Sequence, residues 1–136
     1  MNLSIKLLIA DDHEMIRDAL KALLLKTNSV TVEAEASNGR EVLDILNNHT
    51  TDCDVVLMDI SMPEMNGIEA TRLIAKHHPS VKVLALTMYD EQDFINEMFK
   101  AGALGFLSKL TTQKTLLEAI ETVYRGNIFI EDPRRS

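Results

Sequence analysis

The sequence has one cysteine, Cys53, so it cannot form an intrachain disulfide and suits a reducing cytosol. It contains no run of about 18 or more apolar residues, which excludes an ordinary transmembrane helix. The first ten residues lack the cleavage pattern of a secretory signal peptide. These absences predict a soluble, cytoplasmic protein without a membrane partner.

The sequence also lacks an excess of basic residues. Asp and Glu number 21 against 14 Lys and Arg, which gives a net charge of −7. A domain of this charge is repelled by nucleic acid and by anionic membranes. No repeat, low-complexity run or linker rich in Pro, Gly or Ser divides the 136 residues, a length typical of one domain. We therefore expect one acidic domain that does not itself bind nucleic acid.

Two kinds of segment alternate along the chain. Short apolar runs of strand length end in polar or turn residues, and between them apolar residues recur at helical spacing. The runs are residues 5–10, 30–36, 54–58, 81–86 and 103–107, and the predicted helices are about 15–24, 40–47, 68–77, 91–100 and 113–124. Five strands alternating with five helices predict an α/β fold, a (βα)5 parallel sheet with helices on both faces.

The composition of the runs predicts their order in the sheet. The first, third and fourth runs are almost wholly apolar, as strands buried on both faces must be. The second, Val30–Ala36, alternates between valines or alanines and polar residues, which predicts an edge strand with its four apolar residues on one side. The fifth is short and contains Gly105, so we place it at the other edge. The order 2-1-3-4-5 follows, which is that of the doubly wound, flavodoxin-like fold.

Carboxylates follow two neighbouring strands of this sheet. Asp11 and Asp12 follow the first strand and Asp59 follows the third, where doubly wound sheets bind ligands. At about 4 Å and an effective dielectric near 20, each pair of carboxylates costs about 4 kcal/mol before screening. Such a cluster needs a proton or a cation, and oxygen ligands select Mg²⁺ or Mn²⁺ rather than zinc.

Two further residues are predicted at the same edge. Thr87 ends the fourth run, and Lys109 lies two residues beyond the fifth. A hydroxyl and an ammonium beside a carboxylate-bound metal suit a phosphoryl dianion, because they hydrogen-bond its oxygens and neutralise its charge. Taken singly, the aspartate pair is typical of a helix cap, Thr87 of a strand and Lys109 of a solvated loop. Their coincidence at one edge favours a phosphoryl site.

The segments LLIADDHE, VLMDISMPEMNG, VLALTMYD and GFLSK resemble the signature of response-regulator receiver domains, over essentially the whole chain. The resemblance implies that Asp59 accepts a phosphoryl group. It also implies a Mg²⁺ site that Mn²⁺ could fill, made by Asp11, Asp12, Asp59 and the main-chain carbonyl of Ser61.

The same resemblance implies phosphoryl transfer from the phosphohistidine of a sensor histidine kinase, or from a small donor such as acetyl phosphate. Lys109 would contact the phosphoryl group, Thr87 would be the switch hydroxyl and Phe106 the aromatic switch residue. The chain would be a signalling switch that assists its own phosphorylation and dephosphorylation, and not an enzyme with turnover. Ser61 and Tyr89 would tune the access of water to the phosphoryl group.

The segments DDHEMIRDAL, DISMPEMNGIEA and LLEAIETVYRGNIFI are similar to the NarL/FixJ group, in which a LuxR-type helix-turn-helix domain follows the receiver. This similarity implies a receiver over 1–127 and, over 128–136, a tail or the start of a linker to a DNA-binding domain. The implied partners are an output domain and, on phosphorylation, a second copy of the chain. A stand-alone receiver is the alternative.

Two other functions compete with this interpretation. A magnesium-dependent phosphatase with an aspartyl nucleophile would carry Asp-x-Asp after the first strand, as haloacid-dehalogenase enzymes do, whereas these aspartates are adjacent. A flavodoxin-like cofactor binder would need a cradle for phosphate, but the turn DDHE is acidic and has no glycine.

Three local features are also predicted. One aspartate of the adjacent pair should cap the first helix. Residues 62–67 should form a turn after the third strand, in which Gly67 or Asn66 is free to adopt a positive φ. Leu110 follows Lys109 where many receivers have a cis-proline, so we expect a trans peptide bond there.

Overall fold

The computed structural model describes residues 4–48, 52–88 and 92–131. Within these ranges the chain forms five helices and six strands, which are β1 (Ile5–Ala10), α1 (Glu14–Leu24), β2 (Val30–Ala36), α2 (Gly39–Asn48), β3 (Val55–Asp59), α3 (Gly67–His77), β4 (Lys82–Thr87), α4 (Gln92–Ala101), β5 (Gly105–Ser108), α5 (Gln113–Tyr124) and β6 (Phe129–Ile130). Among the described residues, no helix combines the length and hydropathy of a membrane span.

The strands form one parallel sheet of order β2-β1-β3-β4-β5-β6. This confirms the predicted α/β class, the doubly wound topology and the order of the first five strands. Helices α1 and α5 cover one face through a core that includes Leu57 and Leu84. Helices α2, α3 and α4 cover the other face through a core that includes Val56 and Ala85. The central strands β1, β3 and β4 are buried almost throughout, as their composition predicted.

Strand β2 contains a bulge that its sequence pattern did not reveal. Leu7 pairs with Val32 but Leu8 pairs with Ala34, so Glu33 is an inserted residue. Because side chains alternate with a period of two, one inserted residue moves everything after it to the opposite face. Val30 and Val32 therefore pack against the α1–α5 core, and the two alanines of β2 pack against the other core. The expectation that all four share one side is wrong.

In α1, apolar residues at three- and four-residue spacing predict a stripe that faces the core, made of Met15, Ala19, Leu20, Ala22, Leu23 and Leu24, but the buried face is displaced from it. Leu20 and Leu24 are buried as expected, but Met15, Ala19 and Ala22 are exposed, and Met15 retains 85% of its accessible surface. Ala19 lies about 100° around the helix from Leu20, which takes it off the face that meets the sheet. The predicted apolar stripe is therefore wrong for these three residues.

A sixth strand lies beyond β5, so β5 is not the sheet edge that its short length and Gly105 had suggested. Gly105 pairs with Phe129, and Phe106 pairs with Ile130. A Cβ atom at Gly105 would lie 2.5 Å from the carbonyl oxygen of Phe129, so the glycine permits the close approach of β6. The sheet thus continues past residue 127, where the sequence had suggested a domain boundary. Residues 132–136 of the predicted tail lie outside the described residues.

We expect Gly105→Ala to destabilise the domain by about 1–3 kcal/mol, as overpacking of a closely packed site does. The added methyl group meets main-chain oxygen of β6, which cannot rotate away as a side chain could. Urea unfolding of both proteins measures the difference. The control is the same substitution in a chain ending at residue 127, where the cost should shrink because Phe129 is absent. An equal cost in both lengths would show that the close approach of β6 is not the cause.

Candidate functional site

The predicted site residues lie at the carboxyl ends of four adjacent strands. Asp11 follows β1, Asp59 ends β3, Thr87 ends β4 and Lys109 follows β5. The strand registers align these ends, since Asp59 pairs with Leu86 directly before Thr87. The amide of Lys109 donates to the carbonyl oxygen of Thr87 at 2.9 Å, which joins the ends of β4 and β5.

The acidic side chains form a cluster around one ammonium group. Ligand atoms of Asp11, Asp12, His13 and Asp59 all lie within 4.8 Å of one another. Asp11 and Asp59 retain only 0% and 1% of their accessible surface, whereas Asp12 and His13 are exposed. Lys109 Nζ lies 2.9 Å from Asp59 Oδ1 and 3.0 Å from Asp11 Oδ2. The structure therefore confirms that residues distant in the chain meet at one edge of the sheet.

The charges of this cluster are not balanced. Burial raises the pKa of Asp59 to about 7, and the charge of Asp11 adds to the rise, against the opposing effect of Lys109. Burial also acts to lower the pKa of Lys109, but its hydrogen bonds and attraction to Asp59 and then Asp11 prevail, and that pKa is raised. One ammonium thus serves two buried carboxylates with a third nearby, which favours a further cation.

The oxygen atoms fit a hard divalent cation. Among the described residues, Asp59 Oδ2 is buried without a hydrogen bond, and Asp59 Oδ1 and Asp11 Oδ2 share the single ammonium of Lys109. Buried polar atoms are rarely left without a hydrogen bond in proteins unless an ion or a water molecule binds them. Mg²⁺ prefers carboxylate oxygens and retains waters, and the exposure of Asp12 leaves room for them. Ser61 follows on the β3–α3 loop and lines an open groove together with Asp12.

His13 is a member of this cluster that the sequence pattern did not single out. It is exposed and occupies the N-cap position of α1, and its Nδ1 lies 3.1 Å from Asp11 Oδ1 and 3.2 Å from Asp12 Oδ1. No side chain caps the helix, so the expectation of an aspartate cap is wrong. Asp11 Oδ1 instead accepts the amide of His13 at 2.8 Å.

Gly67 is a second residue whose role sequence reasoning missed. A Cβ atom there would lie 2.0 Å from the main-chain oxygen of Asp59, so glycine lets α3 begin directly against the end of β3. The positive φ in this turn is at Glu64, with φ of 64°, and not at Asn66 or Gly67, the two residues freest to adopt it. Asn66 caps α3 by accepting the amide of Glu69. This turn therefore shapes the loop that carries Ser61.

The predicted switch residues lie on β4 and β5. Thr87 is buried, and Phe106 is half-buried with its ring edge-to-face against Phe99 of α4, at 6.2 Å between centroids and an interplanar angle of 86°. The described ranges contain no cis peptide bond, which confirms the trans bond expected before Leu110. Tyr89 lies outside the described residues.

Comparison with known proteins identifies related sequences and structures. A family model described as the response regulator receiver domain matches residues 7–121. The transcriptional regulatory protein DegU of Brevibacillus brevis is 35% identical over 126 residues, covering 93% of this chain and 52% of DegU. The response regulator UvrY of Escherichia coli (strain K12) is 38% identical over 126 residues, covering 93% and 57%. This chain thus spans about half the length of these curated relatives.

Solved structures with a similar fold are also response regulators. The crystal structure of a LuxR-family two-component response regulator from Aurantimonas sp. SI85-9A1 is 30% identical to this chain, with a TM-score of 0.84. That match covers 97% of this chain and 92% of the other. Sequence and structure comparisons therefore agree on one family.

In the absence of divalent metal, we expect Asp59→Asn to stabilise the protein at pH 8 and to have little effect near pH 4. The pKa of Asp59 is about 7 when folded, against 3.8 for a free carboxyl, so the folded state holds the proton more tightly. The contribution of protonated Asp59 to the free energy of unfolding is full below pH 4, falls as the pH rises toward 7 and is lost above pH 7. The gain at pH 8 should be on the order of 2–4 kcal/mol.

Urea unfolding of wild type and variant in EDTA, at several pH values between 4 and 8, measures this difference. Asp44→Asn is the matched control, because Asp44 is an exposed carboxylate on α2, away from the cluster. A stability difference between Asp59→Asn and wild type that does not vary with pH would contradict the assignment.

Proposed function

The chain belongs to the response regulator receiver domain family, in its NarL/FixJ-like group, and from this we propose that Asp59 accepts a phosphoryl group from a sensor histidine kinase. Receiver domains are the signalling switches of two-component systems. The observation that carries the assignment to Asp59 is its buried carboxylate, paired with Lys109 and lying against two further aspartates. In this proposal the chain is a phosphorylated switch and not an enzyme with turnover.

The proposed metal ligands are Asp11, Asp12, Asp59 and the main-chain carbonyl of Ser61. The buried carboxylate oxygens of Asp11 and Asp59, which share the single ammonium of Lys109, support the first part of this set, and the groove shared by Asp12 and Ser61 supports the rest. When bound, Mg²⁺ or Mn²⁺ would neutralise the cluster, which favours the ionised form of Asp59, and would polarise an oxygen of the phosphoryl group.

Transfer requires positioning and charge neutralisation more than covalent chemistry. One carboxylate oxygen of Asp59 attacks phosphorus, the phosphorus–nitrogen bond of the donor breaks, and its electron pair returns to the imidazole. Lys109 Nζ, which already lies 2.9 Å from Asp59, is placed to contact the phosphoryl oxygens. The Thr87 hydroxyl then donates a hydrogen bond to another of them. The product is an acyl phosphate, whose hydrolysis ends the signal.

The switch follows from the coupling of β4 and β5. Because the amide of Lys109 donates a hydrogen bond to the carbonyl oxygen of Thr87, a movement of either residue displaces the other. A shift of Thr87 toward the phosphoryl group would open space for Phe106, whose ring now packs on Phe99 of α4. Phosphorylation would thereby bias an existing two-state equilibrium and change the surface of α4, β5 and α5.

We propose that the switch controls transcription through a DNA-binding domain. In its relatives, that domain would lie in the part of the chain outside the region matched here. DegU is named a transcriptional regulatory protein, which supports this assignment. The proposed partners of the switched surface are such an output domain and a second copy of the chain. Residues 1–127 would form the receiver and 128–136 a tail or linker start, with β6 as the piece of it that joins the sheet.

We expect incubation with acetyl phosphate and Mg²⁺ to add one phosphoryl group to each chain, measured by intact mass. Asp59→Asn should remain unlabelled, because its amide cannot act as the nucleophile. EDTA should abolish labelling of the wild type, while Asp44→Asn should be labelled as well as wild type. Hydroxylamine should remove the label, as it does from acyl phosphates.

Labelling of Asp59→Asn equal to wild type would exclude Asp59 as the acceptor, and labelling in EDTA would exclude a role for the cation. Continued release of phosphate from unrelated phosphoesters would instead favour the aspartyl phosphatase considered from the sequence. The family match and the adjacent aspartates do not favour that alternative.

A further inference from the structure

Arg17 of α1 contacts the main chain of the acidic cluster. Its Nη1 donates to the carbonyl oxygen of Asp11, and its side chain is only 17% exposed. That carbonyl belongs to the peptide group joining Asp11 to Asp12. On its other side, the amide of Asp11 donates to the carbonyl oxygen of Ala36 at 3.0 Å. The main chain of Asp11 is therefore held by hydrogen bonds on both sides.

Glu35 of β2 orients the Arg17 side chain. Its Oε1 accepts from Arg17 Nε at 2.9 Å, and its Oε2 contacts Lys21 Nζ at 2.8 Å. The hydrogen bond from Lys21, and to a lesser degree that from Arg17, holds the pKa of Glu35 low against the effect of burial, so this carboxylate is an anion at neutral pH. Arg17 thus spans an anchored carboxylate and the main chain of the cluster.

The bulge in β2 is what brings Glu35 to α1. If Glu33 paired regularly in the ladder, the period of two would turn Glu35 toward the opposite face of the sheet, away from Arg17. Glu35 on the edge strand is thus linked through Arg17 to the main chain of Asp11 at the end of β1.

We propose that Arg17 is a positioning residue for the metal site. By holding the Asp11 carbonyl, it fixes the plane of the Asp11–Asp12 peptide and so the direction in which the Asp12 carboxylate points. This inference rests on the proposed function, in which both aspartates bind the cation. Charge alone predicts the opposite effect, because a guanidinium near the site repels a divalent cation.

Positioning by Arg17 should strengthen cation binding, whereas its charge should weaken it, so a binding measurement distinguishes the two effects. Mn²⁺ is the probe, since the EPR signal of free Mn²⁺ reports binding without phosphorylation. Arg17→Gln should weaken Mn²⁺ binding about tenfold, as loss of a group that orients a metal ligand typically does. Lys21→Gln is the matched control. It also removes a cation of α1 and a partner of Glu35, but Lys21 does not contact Asp11, so affinity should be unchanged or slightly tighter.

Two more variants separate geometry from charge and keep the test usable if Arg17→Gln folds poorly. Arg17→Lys keeps the charge, but one ammonium cannot span Glu35 and Asp11 as the guanidinium does, so most of the loss should remain. Glu35→Gln removes the anion that orients Arg17 and should give a smaller loss. Urea unfolding of each variant, without metal, verifies that the protein compared in the binding assay is folded.

A second readout needs no metal. The amide of Asp12 belongs to the peptide whose carbonyl oxygen accepts from Arg17, so its ¹H–¹⁵N resonance should shift in Arg17→Gln and Arg17→Lys and stay in place in Lys21→Gln. A role of Arg17 limited to stabilising α1 would lower the unfolding free energy without weakening Mn²⁺ binding by the folded protein.

The outcomes separate this inference from the proposed function. If wild type and Lys21→Gln bind Mn²⁺ and the Arg17 variants bind it more weakly, the inference is supported. If Arg17→Gln and Arg17→Lys bind Mn²⁺ as tightly as Lys21→Gln, the inference is overturned while the proposed metal site stands. If the wild type binds no Mn²⁺, the proposed metal site is wrong and this inference fails with it.

Discussion

Repulsion among the carboxylates of Asp11, Asp12 and Asp59 is the constraint on which the rest of the structure depends. At an effective dielectric near 20, one such pair costs about 4 kcal/mol at about 4 Å, and a whole domain is typically stable by only about 5–15 kcal/mol. Lys109 offsets part of this repulsion through its contacts with the two buried members. The buried strands β1, β3 and β4 supply the stability that holds the acidic ends together.

The sequence was sufficient to predict the part of the site that depends on topology. In a parallel sheet of known order, the carboxyl ends of neighbouring strands must meet, so the proximity of Asp11 to Asp59, at the ends of β1 and β3, followed from strand assignment. The bulge at Glu33 could not be predicted, because valines and alanines alternate with polar residues on both sides of it. Strand β6 has two residues, too few to form a recognisable apolar run.

Contacts made by long side chains were also beyond prediction. Sequence spacing gives the face of a helix but not the reach of a guanidinium across to the end of a strand, so Arg17 had no distinguishing signal. Gly67 was interpreted through the conformational freedom of glycine, whereas its importance lies in the space beside the Asp59 carbonyl oxygen. Such close approaches are properties of the packed structure, and the number of residues between two positions does not determine them.

The two halves of the sheet support different parts of the site. In one half, Asp11 and Asp12, which would bind the cation, follow β1, and Arg17 links the Asp11 carbonyl oxygen to Glu35 of β2. In the other half, Thr87 ends β4 and Lys109 follows β5, and Glu131 beyond β6 accepts a hydrogen bond from the amide of Ser108 at 2.7 Å. Asp59 on the central strand β3 contacts both parts. A change of charge at this one carboxylate therefore acts on Asp11 and Asp12 and on Lys109 together, because ligand atoms of the two aspartates lie within 4.8 Å of it and the ammonium lies 2.9 Å from it.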